Sequence, residues 1–527
     1  MSLTVVPDAW GAKTGHELLV LAMRDPDIAA VLGGDVSGYP TRDAAVARVG
    51  EWLGELTSNK NLVAAVLTQS ELAAGAPEAA HDRATGVTSP GPPVTDLANA
   101  ERFVYRHGEN VRYVYEWRSF LAWDETRWAP NDSARIELME QDTARSIWDE
   151  VKDATDAARP RLIAHAIQSA SDHRLASMAK VARAHVAVRP DKLDADGWLL
   201  NTPSGTVDLR TGELRPAARE DLITKRTAAP FDPTAECPLW LDHLATVLPD
   251  PELVTYLQRL IGYSLTGEVT EHSFHVLYGT GRNGKGVTVN TIVKMLGDYG
   301  DVTDPETFLA RKEAAHPTNL ADLHGKRLVA SSETDSGRRL NEATVKNLTG
   351  GDTVKARRMH QDFWSYIPTA TLLLVTNYLP AVQGTDVGIW SRLHVVPFTV
   401  TIPPERIDRN LEHKLVAEQP GILAWAVRGC LDWQREGLVV PEAVTAATRE
   451  YQQEMDNVGR WLAERCEIGP PSWRWETSFA VLSYEAWCNT EGETPLKPNA
   501  LGKRLTALGV GNVKSDGTRY RTGIRPL

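Results

Sequence analysis

At 527 residues the chain is too long for one hydrophobic core, and two to four domains are expected. A net charge of −12 excludes a protein coated in basic surface, but leaves room for a locally basic channel or module. No apolar run approaches the roughly 20 residues of a membrane span, and no basic n-region precedes an apolar core at the N-terminus, so neither membrane nor secretory leader is expected.

The four cysteines, Cys237, Cys430, Cys466 and Cys488, are far apart and form no Cys-x-x-Cys. That spacing speaks against a zinc ribbon or a disulfide framework and suits a reducing, cytoplasmic setting. Sixteen Trp stand beside only eight Phe. Burial in cores is the commoner use of such rings.

Residues 1–72 read as a helical accessory domain, because Ala44 to Leu56 repeats apolar residues at three and four. Residues 73–95 are rich in Pro, Gly and Ala and read as a linker. Residues 96–235 read as a mixed α+β domain. Strands are expected over Arg112–Arg118 and Phe120–Asp124, a helical tract over Ala134–Ala187 broken at Pro160, and a hairpin over Leu199–Leu214. Asp208 and Glu213 in that hairpin read as turn carboxylates. Leu239–Leu265 is expected to be helical.

Phe274–Tyr278 is a short apolar run that reads as a buried strand, and Val287–Leu296 carries apolar residues at helical spacing. Between them lies Gly279-Thr280-Gly281-Arg282-Asn283-Gly284-Lys285-Gly286. Strand, glycine-rich turn and helix make a phosphate cradle, in which backbone N–H groups through Val287 face the anion and Lys285 reaches its outer phosphates. The spacing fits the Walker A pattern except at its last position, where Gly286 replaces the Ser or Thr that would bind Mg²⁺. Thr288 is a poor substitute, since two helical residues turn it ~200° away.

The strand Lys326–Glu333 ends in an acid that can hold Mg²⁺ through water and activate an attacking water, with Asp335 a weaker candidate. A second buried strand, Ala370–Thr376, ends at Asn377, placed either to sense a γ-phosphate or to cap the turn before Pro380. Arg392 opens another apolar strand, where it suits an arginine finger aimed at a neighbouring subunit or a surface ion pair.

With these pieces in order, the run 272–398 resembles a superfamily 3 helicase of the viral, phage and plasmid primase–helicase type. The matching pieces are Gly279–Lys285, Ala330–Glu333, Val345–Asp352, Leu374–Asn377 and Trp390–Arg392. The hairpin Leu200–Gly212 and the stretch Gly262–Gly267 resemble the poxvirus-type amino-terminal module that precedes such helicases. More weakly, Gly38–Ala45 resembles a helical segment of some phage primases. The resemblance implies an α/β, P-loop AAA+-like helicase domain over 236–462, preceded by the α+β module and followed by a winged-helix-like domain over 463–527. It also implies an ATP- and Mg²⁺-dependent ring translocase, usually a homo-hexamer, that unwinds single-stranded or forked DNA 3′ to 5′. The setting would be replication of a phage, plasmid or integrated element in a bacterial cell, alongside a separate primase, polymerase or origin-binding protein.

Leu348–Ile367 reads as a hairpin with strands over Thr353–Arg358 and Phe363–Ile367. In related helicases this hairpin grips DNA in the central channel, which makes Lys355, Arg357, Arg358 and His360 the candidate contacts. Strand alternation separates Lys355 and Arg357 from Arg358. Lys346 could serve the nucleotide across a subunit interface. In the last segment, two helices and a hairpin make a winged-helix candidate, with Lys503, Arg504, Lys514, Arg519 and Arg521 supplying positive charge for DNA. A different class of reading is an origin-binding or loading factor that has lost turnover through Gly286. A primase is poorly supported, because no triad of acids with polymerase-like spacing precedes the linker.

Overall fold

The computed structural model describes residues 28, 31, 32, 42–56, 94–310, 317–333, 337–357, 363–383 and 387–527. The proposed linker falls almost entirely outside them. The chain divides into two compact units, one comprising residues up to Trp123 with Ala129–Pro190, the other Asp124–Trp128 with Asp191–Leu527.

In the first unit, α1 (Arg42–Leu56) buries Ala45, Val49 and Leu53, residues four apart and so on one helical face. Helix α2 (Asp96–His107) starts at Thr95, whose hydroxyl accepts from the Ala98 N–H at 3.2 Å. Strands β1 (Val111–Val114) and β2 (Ser119–Trp123) form an antiparallel pair with Val111 opposite Ala122. The expected helical tract resolves into three helices, α3 (Arg135–Asp153), α4 (Arg159–Ser169) and α5 (Asp172–Ala182). The first break precedes Pro160, which sits in the first turn of α4, where its missing N–H costs nothing. Phe103, Val111, Tyr113, Ile136 and Met178 close the core.

The second unit begins with a three-stranded meander, β3 (Leu199–Thr202), β4 (Gly205–Asp208) and β5 (Glu213–Arg215), one strand more than the expected hairpin. Asp208 accepts from the Arg210 N–H in its own turn, at 3.0 Å. The expected helix over 239–265 is two helices, α6 (Pro238–Val247) and α7 (Pro251–Ser264). Asp250 caps the second, accepting from the Glu252 N–H at 2.9 Å.

A parallel five-stranded sheet forms the centre, making the unit a mixed α/β structure. Its strands in chain order are β6 (Phe274–Tyr278), β7 (Gly300–Thr303), β8 (Leu328–Glu333), β11 (Thr371–Thr376) and β12 (Leu393–Pro397), and across the sheet they run β12-β6-β11-β8-β7. Helix α8 (Lys285–Leu296) follows β6, and α9 (Glu342–Gly350) precedes the short hairpin β9 (Val354–Ala356) and β10 (Trp364–Tyr366).

Both faces of this sheet are covered, as parallel sheets require. On one face, Leu277, Leu373, Val375 and Val396 pack with α6, α7, α8 and α11 (Gln419–Glu436). On the other, Phe274, Val276, Leu372, Leu374 and Val395 pack with Phe308, Val345 and Leu348, and with Tyr451 of α12 (Glu442–Met455). Helix α10 (Leu411–Ala417) lies between β12 and α11 in the chain.

The last segment holds α13 (Asn457–Arg465), β13 (Cys466–Ile468), β14 (Arg474–Glu476), α14 (Thr477–Glu491), α15 (Pro498–Ala507), β15 (Gly511–Ser515), β16 (Thr518–Thr522) and β17 (Ile524–Pro526). The anticipated hairpin β15–β16 gains β14 as a third strand. Trp461, Tyr484, Trp487, Leu501 and Leu505 form the segment's own core. All four cysteines are buried and unpaired, and among the described residues no helix is long and apolar enough to cross a membrane.

Candidate functional site

The carboxyl ends of parallel strands expose unpaired backbone and the openings of the loops that follow, which is where α/β sheets hold ligands. Here the register places Tyr278, Thr376 and Glu333 side by side at that edge, on β6, β11 and β8. The segments containing Gly279, Asn377 and Glu333, separated in sequence, therefore share one rim.

The loop from Gly279 is shaped by its glycines. A Cβ at Gly279 would lie 2.2 Å from the Phe398 carbonyl oxygen, so only glycine fits against that backbone. Gly284 has φ +78°, a backbone that L side chains rarely adopt, and it caps α8. Arg282 also takes a left-handed φ, +51°, and its carbonyl accepts from the Ile402 N–H at 2.7 Å. Such strain in a non-glycine residue persists where its surroundings enforce it. The first N–H groups of the 12-residue α8 open onto the loop with no intrahelical partner.

Lys285 is the first residue of α8 and is 5 % exposed. Its Nζ donates to the Gly279 carbonyl at 2.6 Å, to Asn283 Oδ1 at 3.0 Å and to Asn377 Oδ1 at 3.1 Å. All three are neutral oxygens. Burial pushes the amine down to about 8, because a charge removed from water without a counter-charge is disfavoured. A buried cation beside a helix N-terminus, whose partners among the described residues are neutral oxygens, can take up an anion such as a phosphate.

Asn377 follows β11 directly, and it is Thr376 that makes the local turn, its hydroxyl accepting from the Tyr378 N–H at 3.0 Å. The amide of Asn377 is thus turned to Lys285 rather than to the turn before Pro380. Glu333 ends β8 on the same rim; its side chain and the whole of Asp335 lie outside the described residues. A Cβ added at Gly286 would meet nothing within 4 Å. Thr288 points inward, its buried hydroxyl bonded to the Gly284 carbonyl at 3.0 Å and to His243 Nε2 at 2.9 Å. It offers no hydroxyl to the loop's mouth. Burial holds His243 down to about 4, so its ring is neutral there.

Arg392 is not brought to this rim. Its carbonyl accepts from the Phe274 N–H, at the amino edge of the sheet, and a five-residue strand spans about 16 Å between the two edges. Its Nη1 donates to the Gly388 carbonyl at 2.7 Å, and its buried Nε has no partner among the described residues. Sequence reasoning missed His243 and Val247, which lie one helical turn apart beneath Gly284. It also missed a cleft of about 590 Å³ next to the loop, whose lining includes Val287, Lys294, Ile407, Asp408, Glu412 and His413. Most of these residues come from a segment with no motif.

On the hairpin, Val354, Ala356 and Tyr366 are buried, while Lys355 and Arg357 are exposed. Arg358 and His360 lie outside the described residues. In the C-terminal segment, Lys503, Lys514 and Arg519 are exposed. Two arginines expected on the DNA-facing surface are held by neighbouring groups. Arg504 pairs with Asp456 at 2.7 Å, and Arg521 is 6 % exposed and donates to the Gly502 carbonyl at 3.3 Å. Each anchors α15 to its neighbours.

Two families match the chain: "D5 N terminal like" over residues 100–249, and a family of unknown function over residues 277–392. A protein named "Putative helicase" from Acanthamoeba polyphaga mimivirus is 27% identical over 287 residues, covering 50% of this chain and 30% of that protein. A "Putative helicase" of Frog virus 3 is 28% identical over 253 residues, 44% of this chain and 26% of that one. A "Putative primase" of African swine fever virus is 24% identical over 325 residues, 56% of this chain and 34% of that one. The chain thus spans about a third or less of the length of these relatives. The apo structure of the NrS-1 C terminal region aligns with 56% of this chain and 77% of its own, at 11% identity and a TM-score of 0.35.

Proposed function

We propose that the chain, which fits the phage and poxvirus-type primase–helicase family of superfamily 3, is an ATP-dependent DNA helicase or translocase, working as a homo-hexameric ring in replication. The observation that carries this reading is the Lys285–Asn377 contact at the rim of the sheet. A buried amine surrounded by neutral oxygens gains most when a phosphate oxygen takes their place.

In this proposal the loop Gly279–Val287 wraps the phosphates and Lys285 holds the outer ones. The nucleoside end lies in the adjoining cleft, which shares Val287 with the loop. Asn377, already bonded to Lys285, reports the loss of the γ-phosphate to β11. Glu333 orients the attacking water and accepts its proton. Bound Mg²⁺ would supply charge neutralisation on the β- and γ-oxygens, with Glu333 the residue to hold its water shell. Arg392, at the far edge of the sheet from its own loop, would serve the nucleotide of an adjacent subunit. Lys355 and Arg357, with Arg358 and His360 beyond them, would hold DNA in the ring. Helix α15 and the β15–β16 hairpin read as a winged-helix module in which Lys503 and Arg519 meet DNA phosphates.

Lys285→Ala is expected to abolish DNA-stimulated phosphate release, a loss of at least about a hundredfold. Unchanged turnover in that variant would sink the proposal. The open space at Gly286, where no hydroxyl stands, favours a second reading: a ring that binds nucleotide and loads at an origin with little or no turnover.

A further inference from the structure

Alternation divides the β9–β10 hairpin into two faces. Trp364 and Tyr366 lie on the inner one, their rings 4.6 Å and 5.2 Å from that of His324, and the Tyr366 hydroxyl donates to the Leu320 carbonyl. These contacts fix the hairpin to the body of its unit. The outer face carries Lys355 opposite Ser365, with Arg357, Phe363 and Ile367 continuing it beyond the strand ends. Phe363 is 60 % exposed and Ile367 is 62 % exposed. The Arg357 guanidinium lies 4.8 Å from the centroid of the Phe363 ring.

Leaving a Phe in water forgoes roughly 2 kcal/mol of burial, and packing of the hairpin does not account for it, because its inner rings already do that work. Among the described residues 353–357 and 363–367 there is no acid. A cationic face with an open ring suits a polyanion that also presents flat π surfaces. Single-stranded nucleic acid is such a ligand, whereas a duplex stacks its bases on one another and hides their faces.

We propose that Phe363, braced by Arg357, is a stacking platform for a base of the bound single strand, next to a phosphate held by Lys355. The contact reads no sequence, since every base has a π face. It selects unpaired over paired strands at the hairpin itself. The proposal rests on the DNA-translocase reading above, and adds base contact to a hairpin otherwise assigned only to the backbone.

The test uses the full chain and two oligonucleotides of equal length and charge, one carrying bases with a 2-aminopurine reporter and one abasic throughout its central stretch. Wild-type protein is expected to quench 2-aminopurine and to prefer the base-bearing strand. Phe363→Ala and Phe363→Leu should each lose about 5- to 150-fold in affinity for that strand, the range for one stacked base, and nothing for the abasic one. Phe363→Trp should restore the preference, and Lys355→Ala should weaken both strands alike. Equal loss on both strands in Phe363→Ala, or no loss on either, overturns the platform while leaving the helicase reading in place. A change of oligomeric state in Phe363→Ala without DNA, with the base preference kept, assigns the face to a subunit contact and also overturns it. Failure of the wild type to bind either strand defeats both readings together.

Discussion

Arg102 and Lys285 are both buried cations, but their partners differ in kind. In the first unit, Arg102 grips Glu150 with two bonds of 2.6 Å, and its Nη1 donates to Asn99 Oδ1 at 3.2 Å. Asn99 in turn donates to Ser169 at 2.8 Å and meets His165 Nε2 at 2.8 Å. In that network the guanidinium has its carboxylate, and the Asn99 amide is bonded through both its oxygen and its nitrogen. Lys285 has as many bonds and no negative charge among its partners. A closed network holds helices together, and adding an anion would leave a polar group without a partner. Under the proposed function, the open one is the cluster that an anion would stabilise. Burial and hydrogen bonding are alike at the two cations; what differs is the charge of their partners.

The largest expected effect of breaking this contrast is on the closed side. Glu150→Ala takes the carboxylate away from the Arg102 guanidinium, which is 2 % exposed. Loss of one partner of a buried pair costs several kcal/mol; with the carboxylate 32% exposed, the lower end, about 3 kcal/mol, is expected. Faster hydrogen exchange in α2 and α3, with ATP binding by the folded chain unchanged, would show it. Exchange no faster than in the wild type would mean that the pair is dispensable.

A smaller change should close the open cluster. Asn377→Asp places a carboxylate where the amide oxygen now lies 3.1 Å from Lys285. It would compete with the γ-phosphate and weaken binding of a non-hydrolysable ATP analogue by roughly 10- to 150-fold, the worth of a hydrogen bond to a charged group. The pH dependence should change with it. In the wild type the folded-state value of Lys285, about 8, lies below its ordinary 10.5, so between those values the unfolded chain binds more protons and apo stability rises with pH. Over the same window nucleotide affinity falls, because the amine loses the charge that the phosphate needs. The new carboxylate raises the lysine's value, so both slopes should flatten in the variant. Titration calorimetry from pH 7 to 10 measures the affinity slope, and denaturant unfolding over the same range the stability slope; an affinity that stays level above pH 8 in the wild type would remove Lys285 from the phosphate site.

Much of the rim was legible in the sequence because local rules dictate it. Glycine spacing specified the loop, and continuous β-branched and Leu runs specified strands buried on both faces. Asn377 and Lys285 were each marked, but their bond spans 92 residues and depends on β11 lying next to β6. That neighbourhood is a property of strand order rather than of either motif. Arg504 and Arg521 read as surface charge in the sequence because arginine in a short hairpin or helix usually is. Asp456, 48 residues before Arg504, and the space beside Gly502 are what draw them inward. Phe363 was seen only as a strand residue, because a charge inventory passes over aromatics. The break between α6 and α7 was missed because the apolar period runs on through Leu248, while Asp250 and Pro251 restart the helix.

The finest test concerns Gly286. An added Cβ there meets nothing within 4 Å, so Gly286→Ser introduces a hydroxyl without displacing any neighbour. It lies in the first turn of α8, where serine also costs the helix less than glycine by a few tenths of a kcal/mol. Replacing an ordered water by a direct ligand is worth up to about 2 kcal/mol, and about 1 kcal/mol corresponds to a roughly fivefold lower half-saturating Mg²⁺ concentration. Thr288 will not mask the effect, because its hydroxyl is held by His243 and the Gly284 carbonyl. The two functional readings then separate on a single measurement of phosphate release against Mg²⁺. If the wild type turns over and the variant only shifts the midpoint, the chain is a helicase that holds its metal through water. If turnover appears only in the variant, the natural chain is a nucleotide-bound ring in which the missing hydroxyl keeps hydrolysis off. If neither the midpoint nor the rate moves, the metal does not approach the first turn of α8, and the placement of the phosphates along that helix has to be redrawn.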